Sequence, residues 1–282
     1  MGFNLEKIQQ QQQELAEKLN RGGGSRATFW RPEDGKNEIR IMPNWTDQGE
    51  FSDQFWREVH QHWNINPDQR GPILCPKKTP GLDNDCPICE FGQELKDSND
   101  PESQTLFKKV RAKVSYLLNI VDQKDPEYSA ADVAEFKKNR PDSEVPFEVG
   151  DPKVQVYACP STIFSQLLSV ITDNATDITD HSKGHNVFLH KFANKDKLKT
   201  RYQVTLALKP TESGVSEDAE LPALDKVGYV MDYEKIRDLL VEGVGADFTA
   251  ALPSAPSEKS LPVGSSDDSE DLEAQLRAQL SS

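Results

Sequence analysis

Arg111-Ala112-Lys113-Val114-Ser115-Tyr116-Leu117-Leu118-Asn119-Ile120-Val121 is the stretch on which the fold turns. It is long, rich in Val, Tyr, Leu and Ile, and free of Gly and Pro, so it predicts a β-strand. Its first residues alternate Arg111, Lys113 and Ser115, which would line cations along one strand face. Just upstream, Phe107-Lys108-Lys109 adds two more cations and a ring. Further strands are expected at Asn37–Pro43, Lys153–Ala158, Asn186–Phe192 and Thr200–Leu208, the last two as a hairpin around residues 195–199. An amphipathic helix fits Thr162–Thr172, with Ile163, Phe164, Leu167, Leu168 and Ile171 on its apolar side, and a second fits Asp232–Val241. Five short, non-local strands with one internal helix favour a mainly β, α+β body, a small barrel or partly open sheet, over an alternating α/β fold.

Upstream of the long strand lies a cysteine cluster. Cys86-Pro87-Ile88-Cys89 is a C-x2-C knuckle, and Cys75 precedes it by a turn-rich segment. His62 or His60, two residues apart on one strand face, would complete a Cys3His set. Thiolate and imidazole are the preferred donors of Zn²⁺, and four protein ligands leave no open position for a catalytic water, so one structural zinc is expected. The Cys-Pro-x-Cys pair also resembles a thioredoxin-type redox pair opening a helix at Glu90–Lys96, but no βαβ pattern surrounds it and the third cysteine and the histidine would be left over. Cys159 stands apart before Pro160 and reads as a small buried apolar residue. Free thiols with a zinc site fit a reducing cytoplasm.

All four tryptophans fall between Trp30 and Trp63, interleaved with cations: Trp30-Arg31, Arg40, Trp45, Phe55-Trp56-Arg57 and Trp63. A second mixed group comprises Lys108, Lys109, Arg111, Lys113 and Tyr116. A third comprises Lys191, Phe192, Lys195, Lys197, Lys199, Arg201 and Tyr202. Cations follow phosphates while aromatic faces stack bases without regard to sequence, so these groups are candidate contacts to single-stranded nucleic acid. The competing expectation is that at least two of the tryptophans are core.

The formal net charge of −14 over 282 residues seems to oppose such a ligand, but it is unevenly placed. Residues 212–282 carry −11 and residues 122–152 carry −5, which leaves +2 for the rest. The body is therefore mildly basic, with an acidic insert and an acidic tail. No apolar run reaches the length of a membrane helix, and the Gln-rich N-terminus has no signal-peptide core. No Walker A loop, G-x-S-x-G or H-E-x-x-H occurs, so a binding role is expected rather than an enzymatic one.

The organisation read from composition is an arm at 1–24, a core at 25–247 with a zinc subdomain at about 58–97, and a disordered tail at 248–282. In the arm, Leu5, Ile8, Leu15 and Leu19 form one apolar stripe, ended by the glycine-rich Asn20–Ser25. That stripe needs cover from this body, a second copy or another protein. In the tail, Leu272, Leu276 and Leu280 follow an acidic block and suit a docking peptide. Apart from nucleic-acid binding, these features would also fit a zinc-stabilised protein-interaction adaptor.

"EIRIMP" at 38–43, the His62-x12-Cys75-x10-Cys86-x2-Cys89 spacing and "KKVRAKVSYLLNIVDQKDP" at 108–126 resemble the zinc-containing single-stranded DNA-binding proteins of T4-like phages. The resemblance spans about Trp30 to Tyr233. It implies an OB-fold-like five-stranded barrel with an embedded zinc subdomain, His62 as the fourth ligand, and a basic cleft that includes Lys108, Lys109, Arg111, Lys113 and Ser115. It further implies sequence-tolerant binding in DNA replication, recombination and repair, a tail that docks replication proteins, and residence in the cytoplasm of an infected bacterium. One departure is visible: the family's arm opens on a basic cluster, whereas Met1–Gln13 holds only Lys7 among its Lys and Arg positions.

Overall fold

The computed structural model describes residues 28–46, 53–67, 71–98, 100–139, 141, 144–194, 200–228 and 230–244. The arm stripe (Leu5, Ile8, Leu15, Leu19), the tail leucines (Leu272, Leu276, Leu280) and Lys195, Lys197 and Lys199 lie outside the described residues.

Within them, the long apolar stretch forms β5 (Lys113–Asp122), the central strand of an eight-stranded sheet. Arg111 is not part of it but caps the preceding helix, because the chain leaves that helix in an extended conformation. The other strands are β1 (Phe29–Trp30), β2 (Gly35–Ile41), β3 (Trp56–His62), β4 (Ile73–Leu74), β6 (Val154–Pro160), β7 (His185–Phe192) and β8 (Arg201–Pro210). Their order is β1-β6-β5-β2-β7-β8, with β3 on β5 and β4 on β3. All pairs are antiparallel except β1 with β6.

Helices α1 (Pro87–Asp97), α2 (Pro101–Val110), α3 (Ala130–Asn139), α4 (Ser161–Asn174) and α5 (Tyr233–Val244) complete a mixed α/β, sheet-dominated body. The meander β2-β5-β6, the helix α4 and the hairpin β7-β8 returning beside β2 give the expected OB-fold-like strand order. Among the described residues no ladder joins β8 to β6 or β3, so hydrogen bonds do not close a barrel.

Strand β5 has neighbours on both edges and on both faces. Its first half pairs with β3 and its end with β2 along one edge, while β6 runs along the other. Leu118 and Ile120 enter the main core with Ile39, Ile41, Tyr157, Val187 and Leu189. Leu117 and Val121 enter smaller clusters on the opposite face, under Leu221, Leu224 and Val227. Burial on two faces explains why the strand reads as a nearly continuous apolar run rather than a strict alternation.

Helix α4 covers the main core with Ile163, Phe164 and Leu167, each contributing about 1.5–3 kcal/mol through burial. It is tied to β8 through Gln166, which donates to the Tyr202 carbonyl and accepts from the Val204 N–H.

A separate apolar cluster lies under α1, α2 and α5. Ile65, Ile73, Ile88, Phe91, Leu95, Val110, Ile236 and Leu240 form it together with Cys75 and Cys86. Helix α5 reaches back from far along the chain to complete it. Tyr233 donates to Glu90 at 2.6 Å, and Asn66 donates to Glu242 at 2.9 Å. Gly243 lies against the Ile65 carbonyl, where a Cβ would collide with backbone.

Candidate metal centre and nucleic-acid interface

Each donor of the Cys3His cluster arrives on a different local device. His62 ends β3. Cys75 extends the β3–β4 ladder, its N–H donating to the His60 carbonyl at 2.8 Å. The following turn is pinned by Thr79, whose N–H donates to the Cys75 carbonyl and whose hydroxyl accepts from the His60 N–H. Gly81, at φ 80°, supplies the left-handed residue that this reversal needs. Cys86 is the N-cap of α1, Pro87 occupies its first turn, and Cys89 follows one turn on, so both sulfurs lie at one helix end.

His62, Cys75, Cys86 and Cys89 converge, with one donor atom of each within 4.8 Å of the others. The Cys75 and Cys89 sulfurs are 3.5 Å apart, and His62 Nε2 is 3.5 Å from Cys86 Sγ and 3.7 Å from Cys89 Sγ. A tetrahedral zinc with Zn–S bonds of about 2.3 Å and a Zn–N bond of about 2.0 Å needs S···S edges of about 3.8 Å and S···N edges of about 3.5 Å. The donor set therefore fits one such ion.

His62 Nδ1 donates to the Val110 carbonyl at 2.7 Å, which leaves Nε2 as the coordinating nitrogen. His60 instead bonds Glu58 at 2.8 Å and is not in the cluster. Burial pulls the His62 pKa down, but hydrogen bonds with Cys75, Cys89 and the Val110 carbonyl outweigh it and carry it up to about 9. Hydrogen bonds from Cys86 and Cys89 drive the Cys75 thiol far down, and the same packing drives Cys86 far up. Closely packed thiols that cannot all ionise are the condition a bound divalent cation relieves. Cys159 is buried and pushed up to about 12 by burial, as expected of a core thiol.

The candidate nucleic-acid residues divide sharply. Trp30 is 7% exposed, its indole N–H donating to Asp122 at 2.8 Å and its ring edge-on to Tyr157. Arg40 is fully buried, bonded to the Asp180 carbonyl and Thr211, and burial lowers its pKa against the opposing charges of Asp180 and Asp177. Arg57 is 4% exposed and donates to the Leu224 carbonyl at 2.9 Å. These three side chains are corrected to internal supports, because a ring or guanidinium enclosed by protein cannot meet a base or phosphate. Of the four tryptophans only Trp30 is buried. Trp45 and Trp56 are half-buried, and Trp63 is 36% exposed.

Trp56 and Tyr116 come together with Phe55 and Phe164. Tyr116 stacks on Phe164 at 3.9 Å, Trp56 leans on Phe164 at 5.4 Å, and Phe55 meets Trp56 edge-on at 4.8 Å. Trp56 and Tyr116 are half-buried, so protein supports the rings while part of each stays accessible. About three residues along β5, roughly 10 Å away, begins the exposed basic group of Lys108, Lys109, Arg111 and Lys113. No described acid forms an ion pair with any of the four. Glu58, opposite Tyr116 on β3, is an acidic neighbour that residue spacing did not reveal. Burial first, then the charge and hydrogen bond of Glu58, raise the Tyr116 pKa.

The third group is only partly assembled. Phe192 is 53% exposed and sits opposite exposed Arg201 on the β7–β8 hairpin, with His190 stacked beside it at 6.2 Å. Lys191 is instead paired with Asp34 at 2.8 Å, and Tyr202 is half-buried at the edge of the main core. Arg31 is exposed. Lys36, unremarked in the sequence, lies over the Phe188 ring at 3.5 Å on the same outer face as His190 and Phe192.

Fold and site together define a sheet-dominated mixed α/β protein with a built-in three-cysteine, one-histidine cluster that could hold one metal ion. Residues 33–138, from β2 through α3 and including the whole cluster, match the family model described as gp32 DNA binding protein like. That stretch is similar to this family, in agreement with the resemblance carried by its motifs. No curated protein matches the chain.

Proposed function

We propose that the protein binds single-stranded DNA without strong sequence preference and works by binding rather than by catalysis. The observation that carries this reading is the gp32-like match over 33–138, the stretch that holds the Cys3His cluster, Trp56, Tyr116 and the exposed Lys108–Lys113 cations. Trp56 and Tyr116 would stack bases, each contributing about 1–3 kcal/mol, while Lys108, Lys109, Arg111 and Lys113 would follow the phosphates. Phe192 and Arg201, with Lys195, Lys197 and Lys199 between them in sequence, would extend the path.

A zinc ion on His62, Cys75, Cys86 and Cys89 would act structurally, holding β3, α1 and the entry to β5 in register. The biological setting proposed is phage DNA replication, recombination and repair in the cytoplasm of an infected bacterium. There the acidic tail would compete with DNA for the basic surface and present Leu272, Leu276 and Leu280 to replication proteins. The arm leucines (Leu5, Ile8, Leu15 and Leu19) would serve self-association or partner contact.

The test is a salt titration of oligo-dT binding by the full chain and by a chain ended after Leu252. Binding with a log K against log[salt] slope of about −0.7 per phosphate neutralised is expected, tighter for the shortened chain. Absence of single-strand binding at low salt with zinc present would falsify the proposal. A shortened chain that loses protein partners while neither form binds DNA would favour the adaptor reading.

A further inference from the structure

The acidic insert takes no part in the proposed DNA site, yet it helps to line an open groove of about 990 Å³. Part of its lining is aromatic. Tyr128 and Phe147 stack at 3.7 Å, and Phe136 meets Phe147 edge-on at 5.7 Å. Val215, Leu221 and Pro222 line it as well. Lys153 is clamped by Asp125 and Asp132 at 2.6 Å each, which ties α3 to the start of β6.

That clamp engages Lys153, the one cation among the described residues that line the groove. Glu135, Asp151 and Glu220 remain, and no described cation pairs with any of them. The groove lining thus combines aromatic and apolar side chains with carboxylates. A single-stranded nucleic acid is repelled by it, whereas a basic peptide suits it.

Thr28 lines the same groove, and its carbonyl accepts from the Val156 N–H at 2.9 Å. The chain therefore enters the described fold at the groove itself. Immediately before Thr28 runs Arg21-Gly22-Gly23-Gly24-Ser25-Arg26-Ala27, with two arginines and no acid. Arg26 lies within about 7 Å of chain from Thr28 and Arg21 within roughly 25 Å, so both are tethered close to the groove that Thr28 lines. Three glycines permit close backbone approach to aromatic walls, and tethering to Thr28 gives the segment a high effective concentration at the groove.

We propose that Arg21–Ala27 docks in this groove of its own chain, with Arg21 and Arg26 against Glu135, Asp151 and Glu220. The insert is then the anchor for the base of the arm. This is independent of DNA binding, and its test contains no DNA.

Hydrogen exchange of the full zinc-loaded chain reads it directly. Amides of Gly22–Ala27 are expected to exchange about 10-fold slower than free peptide. Glu135→Lys with Glu220→Lys should abolish that protection while leaving the α3 and β6 amides unchanged, which separates undocking from unfolding. Adding Arg21→Glu and Arg26→Glu to those reversals should restore it. Free-peptide exchange in the unaltered chain overturns the proposal, as does protection that survives the charge reversals. Protection that fades on dilution also overturns it, and assigns the groove to the arm of a second copy.

Discussion

The His62 imidazole and the Val110 carbonyl are joined by a 2.7 Å hydrogen bond across 48 residues of sequence. Val110 ends α2, three residues before β5 starts, and His62 ends β3. The bond thereby links the metal cluster to the basic segment that leads into the central strand.

Loss of the metal should therefore be felt at the proposed DNA surface. Chelation, or Cys75→Ser, is expected to release one zinc per chain and to lower stability by several kcal/mol. It should also weaken oligo-dT binding. Metal analysis, thermal melts and fluorescence titration of the same samples check it; a metal-free chain with unchanged stability would contradict it.

Trp56→Ala and Tyr116→Ala should each weaken oligo-dT binding by about 1–3 kcal/mol, roughly 5- to 150-fold, with small losses of stability. Trp30→Ala should do the reverse, lowering stability by about 3–5 kcal/mol through loss of a buried ring. Paired denaturation and binding curves separate the two classes.

Neutralising Lys108, Lys109, Arg111 or Lys113 should reduce the magnitude of the salt slope by about 0.7 for each phosphate left without its cation. Glu58→Gln should strengthen binding by a few-fold, because it removes a negative charge beside Tyr116. Equal slopes across the lysine variants would show that these cations do not meet phosphate.

The Asp132–Lys153 pair predicts a pH signature. Hydrogen bonds from Lys153 and then Ser129 hold Asp132 down to about 2 in the fold, below the usual carboxylate value near 3.9. A depressed folded pKa stabilises the protein above the unfolded value, and that contribution disappears as pH falls from about 4 to about 2. Denaturation midpoints of the parent and Asp132→Asn should differ by on the order of 1 kcal/mol at neutral pH and converge near pH 2.

Gly243→Ala should cost about 1–3 kcal/mol, since the new methyl meets the Ile65 backbone rather than a flexible side chain. The loss should fall on the apolar cluster around the Cys3His donors that α5 completes, and hydrogen exchange of α1 and α2 would locate it.

Much of this was legible along the chain. The five strands of the OB-like order and helices α4 and α5 emerge within a few residues of where apolar periodicity placed them. The Cys3His donors came from spacing alone, apart from the choice between two histidines. Helices α2 and α3 were missed although both carry start signals. Asp100-Pro101 caps α2, with the Asp100 carboxylate accepting from the Ser103 N–H, and Ser129-x-x-Asp132 forms a reciprocal capping box for α3. Their weak apolar faces hid them from a reading based on periodicity.

What the sequence determined by itself was local: strand and helix propensity, and the set of metal donors with the spacing to reach one ion. Which cations face solvent was decided by tertiary structure. Arg40 and Lys113 read alike along the chain, yet one is enclosed beneath Thr211 and the Asp180 carbonyl while the other is exposed at the start of β5. Strand alternation places a side chain on a face, but only later segments folding back over that face, here those of Asp180 and Thr211, decide whether water or protein covers it. The choice of His62 over His60 has the same origin, because the Val110 carbonyl that orients one ring and the Glu58 carboxylate that occupies the other are positioned by the fold.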